Sequence, residues 1–162
     1  MAQVDYFLKI DGVASESTDS KHPGEIELES YSWGEAQSGT AGHGGGMGAG
    51  KVVPQDFHFV KKVDKGSPFL MVGCATGQHF KSAILTARKA GGGQQEYLKL
   101  TMSDVLVSSY QLGGSAHSDV VPMEQVSLNF AKLEMSYKEQ KVDGSLGGEI
   151  KQTYDFSKNV KV

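Results

Sequence analysis

Cysteine is all but missing from this 162-residue chain: Cys74 stands alone. A single thiol excludes an intrachain disulfide framework and fits a reducing compartment. Long apolar runs are missing as well. No segment approaches the ~18 apolar residues of a membrane span. The opening MAQVDYFLKIDG has neither the basic nor the apolar region of a secretory leader, which predicts synthesis in the cytosol. Positive clusters are lacking too. Sixteen basic residues face nineteen acidic ones, the net charge is −3, and basic residues adjoin only in pairs such as Lys61 and Lys62. Nothing builds the field that nucleic-acid binding requires. The five histidines, His22, His43, His58, His79 and His117, show no H-x-x-x-H or Cys/His spacing, so the sequence predicts no metal site and no cofactor.

What the chain does have in excess is glycine, 21 residues, about twice the usual share of ~7%. With 38% hydrophobic and 22% charged residues it is neither collagenous nor disordered, and its length suits one domain spanning residues 1–162. Val4, Tyr6, Leu8 and Ile10 alternate with Asp5 and Lys9, the period of a half-buried strand, with Phe7 breaking its polar face. A second strand is expected over Glu25–Trp33, and strand character resumes from Val52 to Val63, with Pro54 at a strand start or sheet edge. Ser67 as N-cap, Pro68 in the first turn and Gly77 as the stop predict one short helix. SAILTARKA, EYLKLTM, DVLVSSYQL, EQVSLNFAKLEMSYKE and a last run through Ile150, Gln152, Tyr154 and Phe156 read as further strands. In EQVSLNFAKLEMSYKE, Val126, Leu128 and Phe130 share one parity and Leu133, Met135 and Tyr137 the other. That predicts an extra residue near Phe130 and Ala131, a bulge or a bend between sheets. The fold class is mainly β: a compact barrel or sandwich of about eight or nine strands, one short helix and a long extended loop.

That loop holds the tract GTAGHGGGMGAGK, residues 39–51, with seven glycines. Gly45 to Lys51 matches G-x-x-x-x-G-K, but Val52 stands where a phosphate loop needs Ser or Thr for magnesium. The following VVPQDFHF reads as a strand, not the helix whose amides would face phosphate. A loose dinucleotide fingerprint at Gly44, Gly46 and Ala49 fails on the same context. Two readings stay open on residues alone: a loop tip without a ligand, or an arm that lies close against another backbone.

Other constellations are weaker. Cys74, within VGCATG, reads as a small buried hydrophobe rather than a nucleophile. Ser115 and His117 in GGSAH lack the last glycine of a nucleophile elbow and any identifiable acid, and read as a turn. Glu25, Glu27 and Glu29 alternate along a strand and face solvent or a channel. Tyr31 and Trp33 read as core or interface aromatics, while Ser32 points to the other side with Ser30 and Leu28.

The combination of MAQVDYFLKIDG, HPGEIELESYSWG, the glycine tract ending GAGKV, LTARKAGG, EYLKLTMSDVLVSS and NFAKLEMSY closely resembles the Hcp family, the haemolysin-coregulated proteins of bacterial type VI secretion. The likeness covers nearly the whole chain and is poorest over Gly113–Pro122 and Lys141–Ile150. The resemblance implies a β-barrel protomer, six of which form a ring with a wide channel. It further implies that rings stack into a tube expelled by a contractile sheath from its baseplate, with a VgrG spike at the tip and small effector proteins inside. Such a protein is not an enzyme, is made in the cytosol and leaves the cell without a signal peptide. By the family motif, Ser32 of YSWG faces the channel and contacts cargo, which requires a local twist or bulge given its shared parity with Leu28. The glycine tract then reads as an assembly arm through Gly42, Gly44, Gly45, Gly46, Met47 and Gly48. Two other classes compete: a monomeric β-barrel module for a small ligand or sugar, and a hydrolase using Ser115 and His117.

Overall fold

The computed structural model describes residues 4–39, 49–89, 93–118 and 121–162. Its elements in chain order are β1 (Val4–Ile10), β2 (Ile26–Glu27), β3 (Ser30–Ser32), β4 (Glu35–Gly39), β5 (Ala49–Pro54) and β6 (Phe57–Lys62). After these come α1 (Ser67–Thr76), β7 (His79–Lys89), β8 (Glu96–Gly113), β9 (Met123–Gln140), β10 (Leu146–Asp155) and β11 (Val160–Lys161). The described residues are mostly strand, with one helix among them, as the sequence pattern predicts.

Antiparallel pairing runs β1 to β7, β7 to β8, β8 to β9, β9 to β6 and β6 to β3. The segment expected as one strand over Glu25–Trp33 is two, and the division closes the barrel. β2 pairs with β1 and β3 with β6, while the Leu28 amide donates to the Tyr6 carbonyl at 3.0 Å and the Glu29 amide to the Val60 carbonyl at 2.8 Å. Consecutive amides thus bond to opposite neighbours, so the sheet closes on itself and leaves no free edge there. Leu8, Ile26, Phe57, Phe59, Leu85, Met102, Val105, Val126 and Leu128 fill the interior and are fully buried.

EYLKLTM and DVLVSSYQL, read as separate strands, are one. β8 passes through Asp104 at φ 54, a left-handed conformation that Asp tolerates better than most residues, and continues. The parity change in β9 is real: Val126, Leu128 and Phe130 are buried on one parity and Leu133 on the other. It falls where β9 exchanges its partner β6 for β10. The inserted residue, however, is not at Phe130 and Ala131. It is Ser108 in β8, between the pairs Val107 with Leu128 and Ser109 with Ser127.

The helix also corrects one expectation. Its N-cap is Gly66, without a side-chain cap, and Ser67 is the first helical residue. The Ser67 hydroxyl instead accepts from the Asp64 amide at 2.9 Å and the Lys61 ammonium at 3.1 Å. Gly77 ends the helix in the left-handed conformation, φ 66, as expected of a C-terminal glycine.

Of the glycine tract, residues 40–48 lie outside the described residues, and with them Gly42, Gly44, Gly45, Gly46, Met47 and Gly48. Its flanks are paired strands. β4 and β5 form a hairpin, Gln37 opposite Val52, Ala36 opposite Val53 and Glu35 opposite Pro54, and neither strand joins the barrel ladder. Val52 therefore sits in a strand, the context that argues against a phosphate loop.

Candidate functional site

Ser32 is exposed on the outside of the barrel wall, and the register shows what shares that side. It lies opposite His58 of β6, His58 opposite Ser127 of β9, and Ser127 opposite Ser109 of β8. Residues directly opposite on antiparallel strands project to the same side. One polar row therefore crosses four strands. The adjoining residues Tyr31, Phe59 and Val126 point into the core, which fixes the row outward. The next row of the same side is Ser30, Val60, Gln125 and Gln111.

Two local irregularities make this face. Leu28 is buried, whereas Glu29 and Ser30 are both exposed, so the parity reverses between Leu28 and Tyr31 and Ser32 turns outward. In β8 the inserted Ser108 leaves two consecutive serines exposed, which is the physical content of the VLVSS motif. The Ser108 hydroxyl donates to Asp56 Oδ2 at 2.7 Å, and Asn129 Nδ2 donates to Asp56 Oδ1 at 2.9 Å. His58 Nδ1 lies 3.0 Å from Ser127 Oγ. The face is built from hydroxyls, amides and one imidazole, with the Asp56 carboxylate held at its margin.

Behind the row, the Tyr110 hydroxyl donates to Glu124 Oε1 at 2.8 Å. Burial, and then that carboxylate, push the phenol up to about 12. On the opposite wall, Arg88 of LTARKAGG is buried. Its guanidinium donates to both oxygens of Asp19 at 2.6 and 2.9 Å and lies 4.7 Å over the Phe7 ring. The Arg88 hydrogen bonds hold the Asp19 carboxyl well below the usual carboxylate range. His22 stacks on Phe7 with centroids 4.4 Å apart and contacts Glu25 and Glu96. The residue that breaks the polar face of the first strand is thus covered by the loop after it.

The remaining candidates do not assemble. Ser115 Oγ accepts from the His117 backbone amide at 3.4 Å, a turn and not a base beside a nucleophile. His79 pairs with Asp104 on the surface. Among the described residues no group of three or more His, Cys, Asp and Glu side chains could hold a metal ion. Cys74 is half-buried and packs against the core. Glu25 bonds His22 and Glu29 lies 3.7 Å from Lys62, so these carboxylates are not a catalytic pair. Trp33 packs on Phe130 and Phe156 and donates through Nε1 to the Gln55 carbonyl at 2.9 Å, a core role. Beside it an apolar groove of about 490 Å³ is lined by Trp33, Leu133, Met135, Tyr154 and Phe156.

Single-strand periodicity misses His58, Ser127 and Ser109 as members of the row of Ser32. The alternation of Phe57 and Phe59 with His58 and Val60 is visible in the sequence, but only the register between distant strands joins them into one surface.

A closed barrel with a polar wall, a separate hairpin and, among the described residues, a single helix defines a class. The family model described as "Type VI secretion system effector, Hcp" matches residues 7–137, and the chain belongs to that family of secreted type VI proteins. Among its relatives, protein hcp1 of Pseudomonas aeruginosa is 48% identical over 160 residues, 98% of either chain. The crystal structure of Hcp1 from Salmonella typhimurium is 36% identical, with a TM-score of 0.81 and complete coverage of both chains. A structure titled as a type six secretion system protein has a TM-score of 0.93 at 28% identity, covering 99% of this chain and 100% of its own. Among the described residues no helix is long and apolar enough to cross a membrane.

Proposed function

We propose that this chain is a tube subunit of the type VI secretion system. It closes into homohexameric rings that stack into the inner tube, and it performs no catalysis. The observation that carries this reading is the match to hcp1 along 98% of both chains. Copies of a barrel that meet through two dissimilar patches close a ring when the rotation per copy divides a full turn. The β4–β5 hairpin, which makes no ladder with the barrel, offers a segment for a neighbour.

In this arrangement the wall of Ser32, His58, Ser127 and Ser109 lines the channel and contacts small effector proteins. Gly42, Gly44, Gly45, Gly46, Met47 and Gly48 belong to the arm between rings. The contractile sheath and its baseplate drive the tube out of the cytosol behind a VgrG spike, so export needs no signal peptide. Light scattering and negative-stain electron microscopy test the proposal. The expected species has six times the 17.3 kDa chain mass and a central hole. A stable single-chain mass would overturn it and favour the second reading, a monomeric binding module, for which the apolar groove beside Trp33 is the supporting feature.

A further inference from the structure

We propose that the solvent face of α1 in one copy fills the apolar groove beside Trp33 in the next, so that helix and groove are the two halves of the contact that closes the ring; this rests on the reading of the chain as a ring-forming subunit. Ser67, Leu70 and Gly73 face the barrel, and the opposite side of the helix presents Pro68, Phe69, Met71, Val72, Ala75 and Thr76 to solvent. Phe69 is 59% exposed, Met71 49% and Val72 48%. None of the six is charged, and the one hydroxyl among them, on Thr76, donates to the Val72 carbonyl at 2.9 Å. A surface helix carries polar residues on its outer side, and a helix that is apolar all round is a buried one. Among the described residues nothing supplies that cover.

A concave partner for this ridge lies elsewhere on the same protomer. The groove of about 490 Å³ is lined by Trp33, Leu133, Met135, Tyr154 and Phe156, and Met135 is 43% exposed. The apolar side continues through Tyr137 and Ile150, which pair across β9 and β10 and are exposed as well. The copy's own helix cannot reach the groove. Ser67 holds Lys61, and Lys61 meets Glu124 near the start of β9, whereas Leu133 and Met135 lie about 30 Å further along that strand. Two complementary patches on different parts of one protomer make a head-to-tail contact, the kind that builds rings.

Charge favours the same occupant. The charged residues at the groove are Glu35 and Lys161, of opposite sign. Around α1, Asp64 is taken up by Lys61 and Ser15, and His79 by Asp104. That leaves Lys65 just before the helix and, at its other end, a last turn without a basic side chain, whose carbonyls are open to a cation. A helix laid in the groove with its start at Glu35 and its end at Lys161 meets an opposite charge at each end. Phe69 then sits against Trp33, an aromatic anchor in a desolvated pocket at the centre of the contact.

The test uses the full-length protein, in which Trp33 is the sole tryptophan and so reports on the groove. Phe69→Asp on the helix and Met135→Asp in the groove alter exposed positions, and circular dichroism should stay native. Each should lose the six-chain species in light scattering and leave single chains, with Trp33 emission moved to longer wavelength and more open to acrylamide quenching. Phe69→Leu should keep the assembly. An equal mixture of the two aspartate variants retains one intact helix and one intact groove, on different chains, and should give a two-chain species but no ring. A six-chain mass that survives either aspartate variant, or a mixture that stays single-chain, overturns the proposal. If an aspartate variant fails to fold, Val72→Cys with Met135→Cys in a Cys74→Ser background decides. Oxidation should then give a covalent ladder ending at six chains on a denaturing gel, and single chains alone overturn the proposal. A single-chain mass for the native protein sinks the ring reading itself, whereas a native ring indifferent to Phe69→Asp sinks only this contact.

Discussion

Lys61 Nζ and Glu124 Oε2 lie 2.9 Å apart with both side chains wholly buried. The ammonium has three protons, and its hydrogen bonds go elsewhere: Asp64 Oδ1 at 2.9 Å, Ser67 Oγ at 3.1 Å and the Lys62 carbonyl at 3.1 Å. Glu124 Oε2 accepts no hydrogen bond of good geometry, so its contact with Lys61 is coulombic, while Oε1 takes the Tyr110 hydroxyl. This cluster joins β6, β8 and β9 to the first turn of α1. It seats the helix at one end of the barrel.

Lys61→Met leaves the buried Glu124 carboxylate without a counter-ion and should cost about 3–5 kcal/mol in urea unfolding. Glu124→Leu should cost less, because Asp64 still pairs with the Lys61 ammonium. The double variant should recover a large part of that loss, because well-packed apolar groups tolerate the site better than a lone ion. Equal loss in the double variant would show that the pair contributes through shape alone.

Asp19 and Arg88 give a sign for acid stability. The folded-state pKa of Asp19 is depressed, so its contribution is fully present above the ordinary carboxylate pKa of about 3.9 and is lost as pH falls through the lowered folded value. Asp19→Asn should therefore melt below the native protein at neutral pH, and the gap should narrow as pH drops below about 4. Melting curves by circular dichroism at several pH values decide it. A constant gap would mean that the Arg88 contact is not what Asp19 supplies.

Gly73 of α1 faces the Phe80 ring so closely that an added Cβ would meet Cζ at 3.1 Å and Cε2 at 3.2 Å. In Gly73→Ala the gain in helix propensity, about 1 kcal/mol, is set against that crowding, and a near-neutral change is expected. Gly73→Val adds branches into the same ring and should destabilise by about 1–3 kcal/mol. Thermal melts of the pair test it; a Val variant as stable as Ala would mean that Phe80 moves aside freely.

The strength of the local signal explains which parts of this fold are legible in the sequence. β1 announces itself through Val4, Tyr6, Leu8 and Ile10, and α1 through Pro68 and Gly77, since each signal lies within one element. Barrel closure depends on the amides of Leu28 and Glu29 bonding to different strands, which leaves no periodic trace. β4 is built from small and polar residues, EAQSG, so the hairpin has no hydrophobic pattern to betray it. Nothing in the sequence marks Lys61 and Glu124 as a buried pair, because only the fold places them together. Ser32 is identified through a motif, but its neighbours His58, Ser127 and Ser109 require the register.

Deleting residues 42–48 removes the centre of the glycine tract and shortens the connection between the two hairpin strands. The barrel ladder does not include β4 or β5, so far-UV circular dichroism should remain β-rich. Ring closure or stacking should weaken if the tract is an arm. Sedimentation velocity of the deletion against the full chain reads this directly, and unchanged assembly would return the tract to a loop tip without an assembly role.

Ser32→Gln separates the lining role from the architecture. The position is exposed and its neighbours in the row are His58 and, one strand further, Ser127, so a longer neutral side chain can extend outward without entering the core. Folding stability should change by less than about 0.5 kcal/mol, the usual range for a surface substitution. Assembly mass should be unchanged. Co-purification of a small effector should fall, because the glutamine occupies space and takes hydrogen bonds that the serine leaves to cargo. If recovery of cargo equals that of the native protein, Ser32 is not a contact. If the assembly itself is lost, the residue lies between subunits and the polar wall has been assigned to the wrong surface.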